Sequence, residues 1–457
     1  MLEKLFRLKD HNTTIRTEIL GGVTTFVTMA YIIVVNPAIL SFAGIPTGPS
    51  TVATILAAVV GSLLMGIYAN RPIAVAPYMG ENAFIAFGLA AMGIGWQLRL
   101  GAVFVSGLGF ALITLFKIRS WLANSISVSL KHSFAVGIGL FLAFIGLYET
   151  GIVTSSVTGM SPHVLLTPNS VLLRAPDVPV KIGNLRDPAV LLAIFGFLLI
   201  ITLIYRRVRG AILLGIAATA VVGYVLHLGQ SPRAILALPF VGEYSLSAIA
   251  LKLDIKGVFH FSFLPVLLTL FLMGFLDTLG TLVGVGAAGN MLDEQGNFPQ
   301  IEKPMMVDAA TCMFSALVGT STSGAYIESA TGIREGARTG LASVSTAAMF
   351  AASLFFIPLL EPLQQLRYAY GPALMAVGVL MMGSIRGINF EDITETAPSF
   401  ITIVMMLFTY NIGNGLTAGL LLYPVIKVLA GRARELNGGA VVLAGFCAVY
   451  YLFGLPH

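Results

Sequence analysis

Asp277 stands in the run FLMGFLDTLGTLVGVG, with apolar or small residues on both sides. An ionised aspartate at the centre of a membrane helix costs roughly 2.5–3.5 kcal/mol. Such a group must face the protein interior, where it can hold a proton or a polar ligand. Its competing use is a structural carboxylate hydrogen-bonded between helices. Glu328 lies in GTSTSGAYIESATGI. A carboxylate there can accept two parallel N–H bonds, as a guanidinium or a purine edge would supply. The alternative is neutralisation by Arg334 or Arg338 near the inner interface. Glu81 and Asn82 lie in APYMGENAFIAFG. Asn82 both donates and accepts, which suits a heteroaromatic base, although an asparagine also caps helices. Glu81 adjoins it, so on a helix the two point about 100° apart. Glu81 is read as either structural or proton-linked.

Ser321, Thr322 and Ser323 can line the same place, with Gly324 permitting close approach. Small polar residues are also ordinary glue between membrane helices. Asn36–Pro37, Asn411 and Asn414 read as turn or kink residues. The six histidines, at 11, 132, 163, 227, 260 and 457, show no metal spacing. Cys312 and Cys447 each sit inside an apolar run, so neither a disulfide nor a metal framework is expected. There is no phosphate loop with its lysine, no HExxH and no Ser–His–Asp pattern. No enzyme chemistry and no cofactor are expected, and uphill work would draw on an ion gradient.

The elements that must position these groups are membrane helices. Of 457 residues 57% are hydrophobic and 10% charged, against about 25% charged in soluble proteins. Lipid must cover most of the outside, and each span must be helical because lipid offers no partner to the backbone. Hydrophobic segments fall near 18–40, 51–69, 74–92, 98–117, 133–149, 188–206, 210–228, 264–286, 306–320, 322–333, 339–360, 371–385, 397–412 and 413–429. A further apolar stretch, 439–455, leaves open whether 397–429 is one segment or two. Lys and Arg set the orientation. Lys4, Arg7, Lys9 and Arg16 hold the N-terminus inside. Lys117, Arg119, Lys131, Arg206, Arg207, Arg209, Arg334, Arg338, Lys427, Arg432 and Arg434 then fall on the same side. The net charge of +5 therefore belongs to positive-inside loops, not to nucleic-acid binding. The polar–apolar stretch 118–131, with Ile118, Trp121, Leu122, Ile126 and Leu130, is expected to lie along the inner face.

The Gly-rich segments containing Glu81 and Glu328 occupy matching places in two halves. YMGEN begins at Tyr78 and AYIES at Ala325, about 247 positions later. Broken segments at matching positions of two halves point to a midplane binding site in a transporter. Half-helices starting there would aim N–H groups and positive dipole ends at a ligand.

Four strings in order resemble the AzgA-like permeases for hypoxanthine, guanine and adenine, within the xanthine/uracil permease superfamily. They are TTFVTMAYIIVVNPAIL, APYMGENAFIAFG, FLDTLGTLVGV and STSGAYIESATGIREGARTGL. The resemblance spans nearly the whole chain. It implies an all-α polytopic membrane protein of about fourteen segments in two inverted repeats of seven, with short strands and half-helices in segments 3 and 10. Core parts at 18–117 and 264–360 would pair with gate parts at 118–228 and 361–457. Residues 1–17 would be cytoplasmic and 229–263 an external loop. The resemblance further implies proton symport of a purine base, with sodium the lesser alternative, and a homodimer in the plasma membrane. Glu328, Asn82, Asp277, Ser323, Gly324 and Ala325 would bind the base. Asp277 or Glu81 would carry the proton. Many relatives have an apolar residue where this chain has Glu81. The rival readings are a same-fold transporter of uracil, xanthine or a small anion, and an ion channel.

Overall fold

The computed structural model describes residues 2–116, 125–155, 180–230, 232, 234–260, 263–289, 291 and 298–453. The chain is almost entirely helical. Helix α1 (Ile15–Met29) begins where the Thr14 hydroxyl accepts the Thr17 N–H. The helix breaks after Met29 and resumes as α2 (Ile32–Ser41), followed by α3 (Thr47–Ile67). The expected break at Asn36–Pro37 is therefore displaced. Pro37 lies inside α2, and Asn36 is fully buried.

Strand β1 (Val75–Pro77) leads into a half-helix. It starts as α4 (Met79–Ala83), widens to a π turn over Phe84–Gly88 and ends at Leu89–Ala91. Helices α5 (Trp96–Leu115) and α6 (Val128–Glu149) follow. Asp187 caps α7 (Pro188–Tyr205), and α8 is Ala211–Val225. Between α6 and α7, β2 (Val153–Ser155) pairs with β3 (Val180–Ile182). The second half has α9 (Leu264–Ala288), α10 (Glu302–Val318), β4 (Ser323–Ala325), α11 (Ser329–Arg334) and α12 (Gly340–Ser353). It ends with α13 (Ile357–Gln365), α14 (Arg367–Met381), α15 (Ile393–Phe408), α16 (Ile412–Leu429) and α17 (Gly438–Phe453).

Among the described residues nine helices are long and apolar enough to cross a membrane, with shorter apolar helices between them. They do not by themselves establish a count of fourteen. The tail is resolved as two helices, α15 and α16, packed side by side, with α17 against α16. Asn411 makes the break by capping α16 through the Gly413 N–H, 2.8 Å. Of the expected helix along the inner face, residues 117–124 lie outside the described part. Ile126 and Leu130 are buried in the protein. The Ser127 cap starts α6 at Val128, so Leu130 belongs to a membrane helix.

Packing sorts the helices into two groups. Helices α1, α3, α5, α9, α10, α11 and α12 pack with one another and with β1 and β4. Helices α6, α7, α8, α14, α15 and α16 form the second group. Small residues let backbones meet. A Cβ on Gly340 would lie 1.9 Å from the Gly66 carbonyl oxygen, so α3 and α12 touch backbone to backbone.

An ion cluster ties the end of α16 to the start of α15. Arg432 Nη1 meets Asp392 at 2.6 Å, and Lys427, with only 2% of its side chain exposed, meets Glu435 at 2.9 Å and Glu395 at 3.1 Å. Hydrogen bonds from Thr394 and then Arg432 hold the Asp392 carboxyl well below its ordinary range. Arg432 and then Lys427 lower Glu435. Groups depressed on folding stabilise fully above the unfolded carboxylate pKa, and that stabilisation is lost as pH falls through the folded value. The melting temperature of the purified protein should therefore be insensitive to these two groups from pH 7 down to about 4 and fall below that. Asp392→Asn should start lower at pH 7 and decline less in acid, as thermal unfolding against pH will show.

Candidate functional site

Strands β1 and β4 pair antiparallel in the middle of the first helix group, Val75 opposite Ala325, Ala76 opposite Gly324 and Pro77 opposite Ser323. All six residues are buried. Two three-residue strands satisfy one another's backbone where neither segment is helical, as membrane depth requires. Tyr78 N–H bonds the Thr322 carbonyl at 2.9 Å, and Tyr326 N–H bonds the Ala74 carbonyl at 3.0 Å. The Tyr78 and Tyr326 rings lie parallel, 6.4 Å apart. Gly324 is obligatory at this crossing, because a Cβ there would come within 2.1 Å of Tyr78 Oη. Each strand turns directly into a half-helix, α4 after β1 and α11 after β4.

Glu328 occupies the turn into α11. Tyr31 Oη donates to its Oε1 at 2.8 Å. Its other side-chain oxygen accepts no hydrogen bond from another described residue. Glu328 itself is half-buried, and neighbouring Ile327 is 51% exposed, so the turn is not sealed inside the protein. Asp277, half-buried in the middle of α9, makes no side-chain hydrogen bond among the described residues. It lies near enough to Glu328 for their charges to interact. Asn82 is fully buried, with its Nδ2 3.4 Å from the Asn36 carbonyl and its Oδ1 unpartnered among the described residues. Asn36 in turn donates to Thr54 and Thr320, at 2.7 and 3.0 Å, and accepts from Ser321.

Ser323 and Ala325 are engaged within the protein. The Ser323 hydroxyl bonds Ser315 at 2.7 Å, and the Ala325 N–H bonds Asp308 at 2.9 Å. Glu81 turns to the rear. It lines a small cavity of about 10 Å3 with Tyr78, Ser106, Thr278, Cys312 and Thr322, room for about one water. Glu81 is 2% exposed, and both its oxygens and the Thr322 hydroxyl are unpartnered among the described residues.

Tyr31 and Asp308 of this site escape the sequence reading, as does Glu18 at the α1–α12 junction, and Asn36, expected in a turn, is a buried junction. Glu18 is fully buried and accepts the Arg338 and Thr339 N–H groups at 2.8 and 3.2 Å, tying α1 to the start of α12. A carboxylate in an apolar helix was the available signal for Glu18. Tyr31 carries none, since an aromatic in an apolar run reads as packing.

Residues 16–416 match the Permease family, Xan_ur_permease. The chain belongs to this family. Its AzgA-like branch is shown by two relatives. The adenine permease AdeP of Escherichia coli is 38% identical, over 97% of this chain and 94% of its own length. The guanine/hypoxanthine permease PbuO of Bacillus subtilis is 36% identical, over 96% and 98%. This permease is a multi-pass membrane protein and not an enzyme. Its fold matches the transmembrane domain of BicA, a cyanobacterial bicarbonate transporter, with a TM-score of 0.63 at 18% identity, covering 88% of this chain and 97% of that one.

Proposed function

We propose that this permease imports purine nucleobases, namely adenine, guanine or hypoxanthine, across the plasma membrane by proton symport. The observation that carries the reading is Glu328. It is a membrane-depth carboxylate held by Tyr31, with no hydrogen bond to its other oxygen from another residue and no basic side chain paired to it among the described residues. A carboxylate in that setting accepts N–H groups, and a purine edge offers them in pairs. Asn82 and Asp277 complete the polar set. The names of the full-length relatives, adenine permeases and guanine/hypoxanthine permeases, support the same cargo. A small anion fits poorly, because the Glu328 carboxylate would repel it.

In this reading the base binds between the two half-helices. The first helix group carries it past the second, exposing the site to either side in turn. Asp277 or Glu81 takes up the coupled proton from outside and releases it inside. One proton crossing about 100 mV supplies roughly 2.3 kcal/mol, enough for about fifty-fold accumulation. Uptake of labelled adenine, guanine and hypoxanthine into energised cells lacking their own purine carriers tests it, with and without an uncoupler. Saturable accumulation that collapses with the uncoupler is expected. Uptake of none of the three, beside transport of uracil or bicarbonate, would overturn the cargo. Accumulation indifferent to the uncoupler would overturn the coupling.

A further inference from the structure

Asp308 belongs to α10, outside both re-entrant segments, and is 1% exposed. Its Oδ2 gathers groups from three other elements. Thr278 Oγ1, in α9, donates at 2.9 Å. The Ala325 N–H, in β4, donates at 2.9 Å. Tyr78 Oη, at the junction of β1 and α4, lies 3.4 Å away and 2.8 Å from Thr278 Oγ1. Each hydroxyl has one hydrogen. Thr278 gives its hydrogen to Asp308, so Tyr78 gives its own to Thr278 at the shorter distance. The chain Tyr78→Thr278→Asp308 therefore has one polarity, and Asp308 is its terminal acceptor.

These three partners are the immediate supports of the candidate site. Thr278 follows Asp277. Ala325 lies three residues before Glu328. Tyr78 starts the half-helix that holds Asn82. We infer that Asp308 is a positioning residue for transport: it fixes α9 and the two strand–helix junctions to one another, so that Asp277, Glu328 and Asn82 keep their mutual geometry. Its Oδ2 serves as an acceptor throughout: a main-chain N–H can only donate, so this oxygen must always present a lone pair to Ala325, while Oδ1 has no partner among the described residues. The groups facing it are Thr278 and Asp277 on α9, Tyr78, and the rear-cavity carboxyl of Glu81. No basic side chain among the described residues lies at ion-pair distance.

The proposal rests on the purine reading only for its transport readout. Asp308→Asn keeps a carbonyl acceptor for the same donors. It should keep KM for the transported base within about threefold and leave the pH profile of uptake unchanged. Asp308→Ala leaves the Thr278 hydroxyl and the Ala325 N–H without their acceptor and should raise KM by at least about tenfold. Hydrogen–deuterium exchange of the purified proteins gives a ligand-free arm. Amides at 323–328 should exchange faster in Asp308→Ala and at the parental rate in Asp308→Asn. If Asp308→Ala does not reach the membrane, Thr278→Val, which breaks the chain without changing shape, should raise KM and speed the same amides. Unchanged KM and exchange in Asp308→Ala, or in Thr278→Val where that stands in, would overturn the inference. So would loss of gradient-driven accumulation in Asp308→Asn, since Asp308 would then carry the proton. If the parental protein takes up none of the three bases, the cargo reading fails, and the exchange rates alone decide the positioning role.

Discussion

Replacing Glu328 with glutamine should lower purine uptake at low substrate at least about a hundredfold, while the protein still reaches the membrane. A carboxylate accepts two N–H groups of a base edge, and hydrogen bonds to charged groups contribute about 1.5–3 kcal/mol each. Glutamine keeps one acceptor oxygen but presents an NH2 where the second acceptor was. One bond is lost, and a donor is set against a donor. A loss near 3 kcal/mol is about two orders of magnitude. The loss should appear in KM and in equilibrium binding of labelled base to purified protein. Tyr31→Phe removes the hydrogen bond that the tyrosine hydroxyl donates to the Glu328 carboxylate. It should cost about 1.5 kcal/mol, or about tenfold. A Glu328→Gln protein that binds and transports as the parent does would remove the carboxylate from the site.

The sequence makes Glu328, Asp277 and Glu81 visible for one physical reason. A charge inside an apolar run is expensive, so each marks a place where the membrane rule is broken. Asp308 breaks the same rule less conspicuously. Its helix opens with Glu302, Lys303 and Pro304, so it reads as lying near a polar helix end. Its role exists only when residues 78, 278 and 325 converge on one oxygen, which no local pattern encodes. Asn36 misleads in the opposite way. The following proline suggests a turn, yet the proline is accommodated inside α2, and the amide becomes a junction for Thr54, Thr320, Ser321 and Asn82. The strands are too short for alternation to show them. They were legible through their matching places in the two halves, where glycines and polar residues interrupt otherwise apolar segments. Helix existence was written in hydrophobicity. Helix number was not, because pieces such as Ala211–Val225 are shorter than a full span.

Glu81→Gln should leave facilitated movement of the base intact and abolish its accumulation. The side chain is buried, meets no cation at ion-pair distance among the described residues, and has two unpartnered oxygens in a cavity that holds about one water. A carboxylate placed there loses its hydration and gains at most the Thr322 hydroxyl among the described residues, too little to hold a charge, so the cavity suits the neutral, protonated form. Glutamine imitates that form permanently. In proteoliposomes with an imposed pH gradient, the accumulation ratio should fall from as much as about fifty to about one, while counterflow of preloaded base persists. Asp277→Asn should do something different, because Asp277 is only half-buried and lies beside Glu328. It should weaken binding as well as coupling, since on the proposed reading the group faces the base. If Glu81→Gln still accumulates base against a gradient and Asp277→Asn binds normally but only equilibrates it, the proton belongs on Asp277, and Glu81 is a structural acid behind the strands.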